Sequence, residues 1–167
     1  MRSKSFKRTF FISASVLWML VIFLFSAQQG EQSAQLSNSF TALITWIFPV
    51  LKNLSGDALT GGMAVVSFLI RKAAHFSVYA VLSMLVFSAV NTFNLNRPIK
   101  IISALAITVL YAVSDEIHQA FVPGRVCTFF DVCVDLLGAI FGIIIMCAII
   151  LPIIKYFKSK KKGRVSK

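Results

Sequence analysis

Acidic side chains are scarce in this chain of 167 residues, where 6 Asp and Glu stand against 17 Lys and Arg. Charged residues of both signs make up only 14%, well below the roughly 25% of soluble domains. So small a charged fraction argues against an ordinary water-facing surface. Cysteine is sparse as well. Cys127, Cys133 and Cys147 form no CxxC pair, and their odd number argues against a disulfide framework. Packing is the expected role of all three. The sequence also lacks HExxH and GxSxG, so no complete hydrolase signature is present. The formal charge of +11 raises the question of nucleic acid. The basic residues sit mostly in the tails, with no aromatic interleaving and no nucleic-acid motif, so no nucleic-acid partner is expected.

What the chain has in abundance is hydrophobic residues, 57% of the total. They fall in runs of a length suited to about 30 Å of hydrocarbon. The runs are Phe10 to Ala27, Ala73 to Phe93, Ile99 to Phe121 and Phe130 to Ile154. The first is too long for the apolar core of a secretory signal, and Phe25-Ser26-Ala27 fits a cleavage site poorly. It reads as a retained helix. The links at 94–98 and 122–129 are short, which predicts antiparallel neighbours. The expectation is an all-α integral membrane four-helix bundle in a single domain covering 1–167.

The segment 28–72 reads as the one long outer loop. Leu36, Phe40, Leu43, Ile44 and Ile47 have the spacing of an amphipathic helix lying on the membrane. A fifth span is the weaker alternative there, because Pro49 and Lys52 interrupt the segment. Residues 63–70 are apolar enough to extend the second helix outward. The basic residues give the orientation. With both termini in the cytoplasm, that side holds 13 of the 17, namely 4 at the N-terminus, 2 in the Arg97/Lys100 link and 7 in the tail 155–167. The positive-inside rule favours this arrangement.

Glu31 and Asp57 belong to the long loop, which leaves Asp115, Glu116, Asp131 and Asp135 inside or beside the apolar runs. At 1.5 Å per residue, these acids and His75 and His118 all lie about 23–36 Å from the cytoplasmic end. Three helices therefore bring their ionisable groups to the outer membrane edge. The spacing also gives them shared faces. Arg71, His75 and Tyr79 recur every four residues. Tyr111, Asp115, His118 and Gln119 share a side of the third helix, and Asp131, Asp135, Gly138 and Gly142 share a side of the fourth. Gly138-x-x-x-Gly142 permits close backbone approach, so the acidic stripe is expected to face the bundle. Ionisable groups in a membrane are functional candidates by default. The structural alternative is an ion-pair network of Arg71, Lys72 and Arg125 with the four acids.

At these residues the chain resembles the VanZ-like family of bacterial membrane proteins. The resemblance runs from about Leu17 to Gly142 and rests on five blocks. They are Phe25-Ser26-Ala27-Gln28, Arg71-Lys72-Ala73-Ala74-His75-Phe76 with Tyr79, Ser114-Asp115-Glu116-Ile117-His118-Gln119, Phe121-Val122-Pro123-Gly124-Arg125, and Asp131, Asp135 and Gly138. Asp135 stands where that family often has Asn. The resemblance implies a bacterial cell-membrane location and a link to resistance against teicoplanin-type glycopeptides, which act on lipid-linked wall precursors outside the membrane. It carries over motif residues and no catalytic ones.

Two chemical readings follow for the cluster. In the first it binds an amphiphile, such as a membrane lipid, a lipid-linked wall precursor or the lipid-bearing antibiotic. Arg71, Lys72 and Arg125 then take a phosphate or carboxylate. His75, Tyr79, Asp115, Glu116, His118, Gln119, Asp131 and Asp135 complete the site. In the second the protein is an enzyme acting on a lipid headgroup or wall precursor, with His75, Asp115, Glu116 and His118 as acid–base candidates. No cofactor is expected. No metal is expected either, although Asp115, His118, Asp131 and Asp135 are ligand types. A channel or transporter is disfavoured, since no repeat or broken-helix pair is visible. The sequence leaves the oligomeric state open.

Overall fold

The computed structural model describes residues 2–28, 39, 57–125 and 127–165. In chain order the helices are α1 (Arg2–Ser26), α2 (Asp57–Val90), α3 (Arg97–Gln119) and α4 (Phe129–Ile145), then a π-helical turn (Met146–Ile150) and α5 (Leu151–Val165). No strand occurs among the described residues. Four segments among them are long and apolar enough to cross a membrane, Lys4–Ser26, Val65–Val90, Arg97–Gln119 and Phe129–Ile154. The chain is thus all-helical with four candidate spans, as the apolar runs predict.

Two boundaries differ from expectation. Helix α2 starts at Asp57, so residues 57–72 are helical rather than part of a loop. The apolar residues from Met63 to Ile70 carry the helix on in the N-terminal direction. The basic tail is also helical, through Val165. Between α4 and α5 the π-turn lies just before Pro152. A proline ring clashes with the carbonyl four residues back, and widening the preceding turn is one way to relieve that clash within a continuous helix. The expected amphipathic helix at 36–54, and the alternative of a fifth span there, lie outside the described residues.

Local chemistry fixes two helix starts. The Asn96 side chain accepts from the Ile99 N–H at 3.4 Å, with Pro98 in the first turn of α3. Thr128 caps α4. Its Oγ1 accepts from the Asp131 N–H at 3.3 Å and donates to Asp131 Oδ2 at 2.8 Å, a reciprocal arrangement of the capping-box kind.

Helices α2 and α4 run parallel and make the most extensive pairing in the bundle. Glycine is the reason. A Cβ at Gly138 would collide with the Phe76 carbonyl, and one at Gly142 with the Ala80 carbonyl and Ser83 Oγ. Helices α1 and α3 run the opposite way. Trp18 Nε1 donates to the Val78 carbonyl at 3.0 Å, tying α1 to α2. Tyr111 Oη donates to the Met19 carbonyl at 2.5 Å, tying α1 to α3. The core between the helices holds Tyr79, Leu82, Val86, Phe87, Ala104, Ala112 and Ile143.

The surface inverts the soluble pattern. Leu17, Leu24, Ile102, Leu110, Leu137 and Ile144 are all more than half exposed, while Asp115, Glu116, Gln119, Asp131 and Asp135 are buried. Buried Thr108 returns its hydroxyl to the Ala104 carbonyl at 2.8 Å, as a polar group in hydrocarbon must. An apolar exterior over a polar interior is the arrangement that a lipid solvent favours.

Candidate functional site

The middle of α2 around Arg71–Tyr79, the end of α3, the turn that follows it and the start of α4 meet at one end of the bundle. The turn reverses direction at Gly124, whose φ of 75° is the left-handed conformation that glycine adopts without a Cβ penalty. Arg125 follows, and its guanidinium closes the end of the bundle. It donates from Nε to the Gln28 carbonyl at 3.3 Å, from Nη2 to the Phe25 carbonyl at 3.2 Å and from Nη1 to Gln119 Oε1 at 3.4 Å. Thus α1 and α3 are clasped by a single side chain.

The polar groups form two neighbouring sets. One lines a cavity of about 440 Å³ between α1, α2 and α3. Arg71, His75 and Tyr79 supply one wall, and Asp115, Gln119 and Arg125 another. Ile22, Phe25, Ile70, Ala74 and Val78 add apolar surface, and Ser26 and Gln28 complete the lining. Buried Asp115 is held by Oδ2, which accepts from Tyr79 Oη and from Gln119 Nε2, both at 3.1 Å. Arg71 Nε is buried without a hydrogen-bond partner. Burial foremost, and then repulsion from Arg71, hold the Arg125 guanidinium below the ordinary arginine value, while Asp115, Glu116 and Asp131 act in the opposite sense. Two guanidinium groups that repel each other beside an apolar-walled cavity make a place suited to an anion.

The second set lies along the seam between α2, α3 and α4. His75 Nδ1 is 3.3 Å from Asp135 Oδ1. Asp135 is 1% exposed, and neither of its oxygens has a hydrogen-bond partner. Glu116, also 1% exposed, accepts the Thr128 N–H through Oε2 at 3.3 Å and leaves Oε1 without a partner. Asp131 pairs with Lys72. The Lys72 ammonium also lies over the rings of Phe68 and Phe130, at 5.0 and 5.3 Å.

Of the eleven residues expected at the site, the structure brings six to the cavity wall, Arg71, His75, Tyr79, Asp115, Gln119 and Arg125. Glu116 and Asp135 sit on the seam, and Lys72 and Asp131 form a pair beside it. His118 joins neither set. Its ring stacks on Phe23 of α1 with centroids 4.6 Å apart, and its Nε2 is buried without a partner. Among the described residues, the metal-type ligands whose donor atoms gather within 4.8 Å of one another are His75, Glu116 and Asp135. Of the four residues considered as ligands from the sequence, Asp115, His118, Asp131 and Asp135, only Asp135 belongs to that group. Thr128 was not foreseen, although it orients both Glu116 and Asp131. The signal for it was present in Thr128-Phe129-Phe130-Asp131 ahead of an apolar run.

A family model described as VanZ/LLP1 matches residues 11–151. No curated protein and no solved structure matches the chain.

Proposed function

The chain belongs to the VanZ/LLP1 family, and from that premise we propose that it holds the anionic headgroup of an amphiphile in the cavity between α1, α2 and α3. The observation that carries this reading is the pair Arg71 and Arg125, with Arg71 Nε buried and unpartnered, on a cavity wall where Asp115 is the one acid among the described lining residues and is already held by Tyr79 and Gln119. A phosphate or carboxylate would satisfy that donor, and the acyl part would lie along Ile22, Phe25 and Val78. In this reading the protein sits in a bacterial cell membrane with both termini in the cytoplasm, and the cavity opens to the outer leaflet. Binding there lowers susceptibility to lipid-bearing glycopeptides of the teicoplanin type.

The test combines lipid binding with resistance. Purified protein is titrated with phosphatidylglycerol in mild detergent, and bound lipid is read by native mass spectrometry. A charge-assisted hydrogen bond contributes about 1.5–3 kcal/mol, so Arg71→Gln should weaken binding by about tenfold or more. The same variant, at normal abundance, should lose teicoplanin protection. Full protection and unchanged lipid binding in a folded variant would remove this cavity from consideration. Cysteine labelling at position 124 and near the C-terminus of intact cells checks the orientation, with label expected only at 124.

A second reading is an enzyme acting on a lipid headgroup or a lipid-linked wall precursor. The observation favouring it is the His75 imidazole, which lines the cavity while its Nδ1 lies 3.3 Å from a buried carboxylate. A carboxylate that orients an imidazole is a general-base arrangement. A new lipid or precursor species, made by the protein and lost in His75→Gln, would select this reading over binding alone.

A further inference from the structure

We propose that His75, Glu116 and Asp135 form a binding site for a single divalent transition-metal ion of the zinc class, held between α2, α3 and α4. The site adjoins the headgroup cavity and shares His75 with it, while Glu116 and Asp135 lie outside the cavity wall.

Charge is the first argument. Glu116 and Asp135 are each 1% exposed, and both belong to candidate spans. Of the cations nearby, Arg71 lines the neighbouring cavity with its Nε unpartnered, and two are engaged elsewhere. Lys72 pairs with Asp131, and Arg125 donates to two carbonyls and Gln119. Buried carboxylates persist in membranes when paired with a cation or coordinated to a metal. A divalent ion matches two carboxylates and a neutral imidazole.

The unmade bonds are the second argument. Asp135 Oδ2 and Glu116 Oε1 are buried without hydrogen-bond partners, and Asp135 Oδ1 has only the His75 Nδ1 contact at 3.3 Å. Asp131 is satisfied by Lys72 and Thr128, whereas Asp115, like Glu116, has one oxygen bonded and the other, Oδ1, without a partner. The unpartnered oxygens of Asp135 and Glu116 belong to the same small group as His75.

Geometry is the third. Ligands on one zinc ion at about 2.1 Å lie roughly 3–3.5 Å from one another. The 3.3 Å between His75 Nδ1 and Asp135 Oδ1 already has that value. All three donors lie within 4.8 Å of one another, so a small side-chain adjustment closes the set. The Thr128 N–H on Glu116 Oε2 holds one oxygen and leaves the other for the ion, as outer-shell partners of metal ligands commonly do. The close approach at Gly138 places α4 against α2 beside the site. One imidazole and two carboxylates suit zinc, manganese or iron, whereas an all-oxygen set would suit magnesium or calcium. Three protein ligands leave a coordination position for water or for a ligand oxygen.

The experiment uses the full chain in mild detergent, stripped with EDTA and then exposed in turn to Zn²⁺, Mn²⁺, Mg²⁺ and Ca²⁺. Bound metal is counted by mass spectrometry after desalting, and thermal melting is followed in parallel. The expected result is close to one Zn²⁺ per chain and a raised melting temperature, with no retention of Mg²⁺ or Ca²⁺. Asp135→Asn and Glu116→Gln preserve shape and should each weaken zinc binding by at least about tenfold. Arg71→Gln should keep the metal, which separates this site from headgroup binding. Replacement of Cys127, Cys133 and Cys147 by Ser should also leave zinc binding intact. Should either carboxamide variant fail to fold, the Co²⁺ form of the wild-type protein reads the site directly, with visible bands of nitrogen and oxygen ligation and no thiolate charge transfer. Wild-type protein that retains no more zinc than the Asp135→Asn form would overturn the proposal, and so would a thiolate band.

Discussion

Two cavities open at opposite ends of this bundle, and they differ in the charges they hold. The one beside the middle of α2 and the end of α3 is about 440 Å³ and carries Arg71 and Arg125 together with Asp115 and His75. The one at the other end is about 570 Å³, and its only charged lining residues are cations, Arg97 and Lys100, beside Asn91. At that end charged groups meet neutral acceptors in exposed positions. Lys100 Nζ donates to Asn91 Oδ1 at 3.1 Å, and Arg8 Nε to Thr92 Oγ1 at 3.4 Å. Cations without buried counter-charges are the kind of group that an anionic lipid surface attracts. At the first end acids and cations are buried together, and several of their polar atoms have no partner. Such a cluster is costly to fold, and under the proposed function one end anchors and the other holds the chemistry.

The comparison breaks most completely if the seam joining both ends is opened. Gly138→Ala places a Cβ against the Phe76 carbonyl, a backbone atom that cannot rotate away. Overpacking of this kind costs about 1–3 kcal/mol, and here α4 must move off α2. The expected outcome is a large drop in melting temperature and in membrane abundance, with lipid and metal binding lost together. Normal melting in Gly138→Ala would show that the helices are not held at the distance described.

Arg125→Ala acts at one end alone. It removes three hydrogen bonds that clasp α1 to α3 and one of the two guanidiniums on the cavity wall. Part of the side chain is exposed, so a stability loss of about 1.5 kcal/mol is expected, at the low end for charged donors. Arg125→Lys keeps the charge and loses the fork, so it should recover some melting temperature and little lipid affinity. Equal recovery of both would mean that charge alone suffices in the cavity.

Much of this was legible beforehand, and the exceptions have physical causes. The spans were readable because each is a long apolar run. The shared level of His75, Asp115 and Asp135 was readable from helical rise alone. The separation of the cluster into a cavity and a seam was not. Asp115 and Glu116 are adjacent in sequence, and adjacent helical residues point in different directions, so one meets Tyr79 of α2 while the other meets Thr128 ahead of α4. No spacing rule within α3 says which neighbour lies on which side. His118 shares the stripe of Asp115, yet its ring finds Phe23 of α1. The trio His75, Glu116 and Asp135 takes one residue from each of three helices, so no local motif announces it. The early start of α2 runs through Gly61 and Gly62, whose low helix propensity weakens the local signal.

Thr128→Val tests the site end more gently. The hydroxyl caps α4 and donates to Asp131, while the Thr128 N–H to Glu116 is a backbone group that survives the change. Loss of a cap costs about 1 kcal/mol. A modest fall in melting temperature is expected, with Thr128→Ser close to wild type. If Thr128→Val melts normally, the start of α4 is held by its packing against α2 rather than by its cap.

The smallest effect should come from the anchoring end. Arg8 is exposed. Its Nε and Nη2 lie 3.4 and 3.5 Å from Thr92 Oγ1 and O, and its guanidinium carbon is 4.1 Å from the centre of the Phe93 ring. The hydrogen bonds are long, and an exposed cation–π contact contributes about 0.5–1 kcal/mol. Water can solvate the guanidinium once the contact is lost, so no buried group is left unsatisfied by truncation. Arg8→Ala should therefore lower melting by no more than a degree or two, leave headgroup and zinc binding unchanged, and leave the cavity at the far end intact. Arg8→Lys should be indistinguishable from wild type, because positive charge near the membrane is all this end requires. The comparison with Arg125 sharpens the point. Both arginines donate to backbone carbonyls across helices, but only Arg125 does so while lining the mixed-charge cavity. A loss in Arg8→Ala as large as that in Arg125→Ala would show that the two ends share the load of holding α1. The division between an anchoring end and a chemical end would then fail.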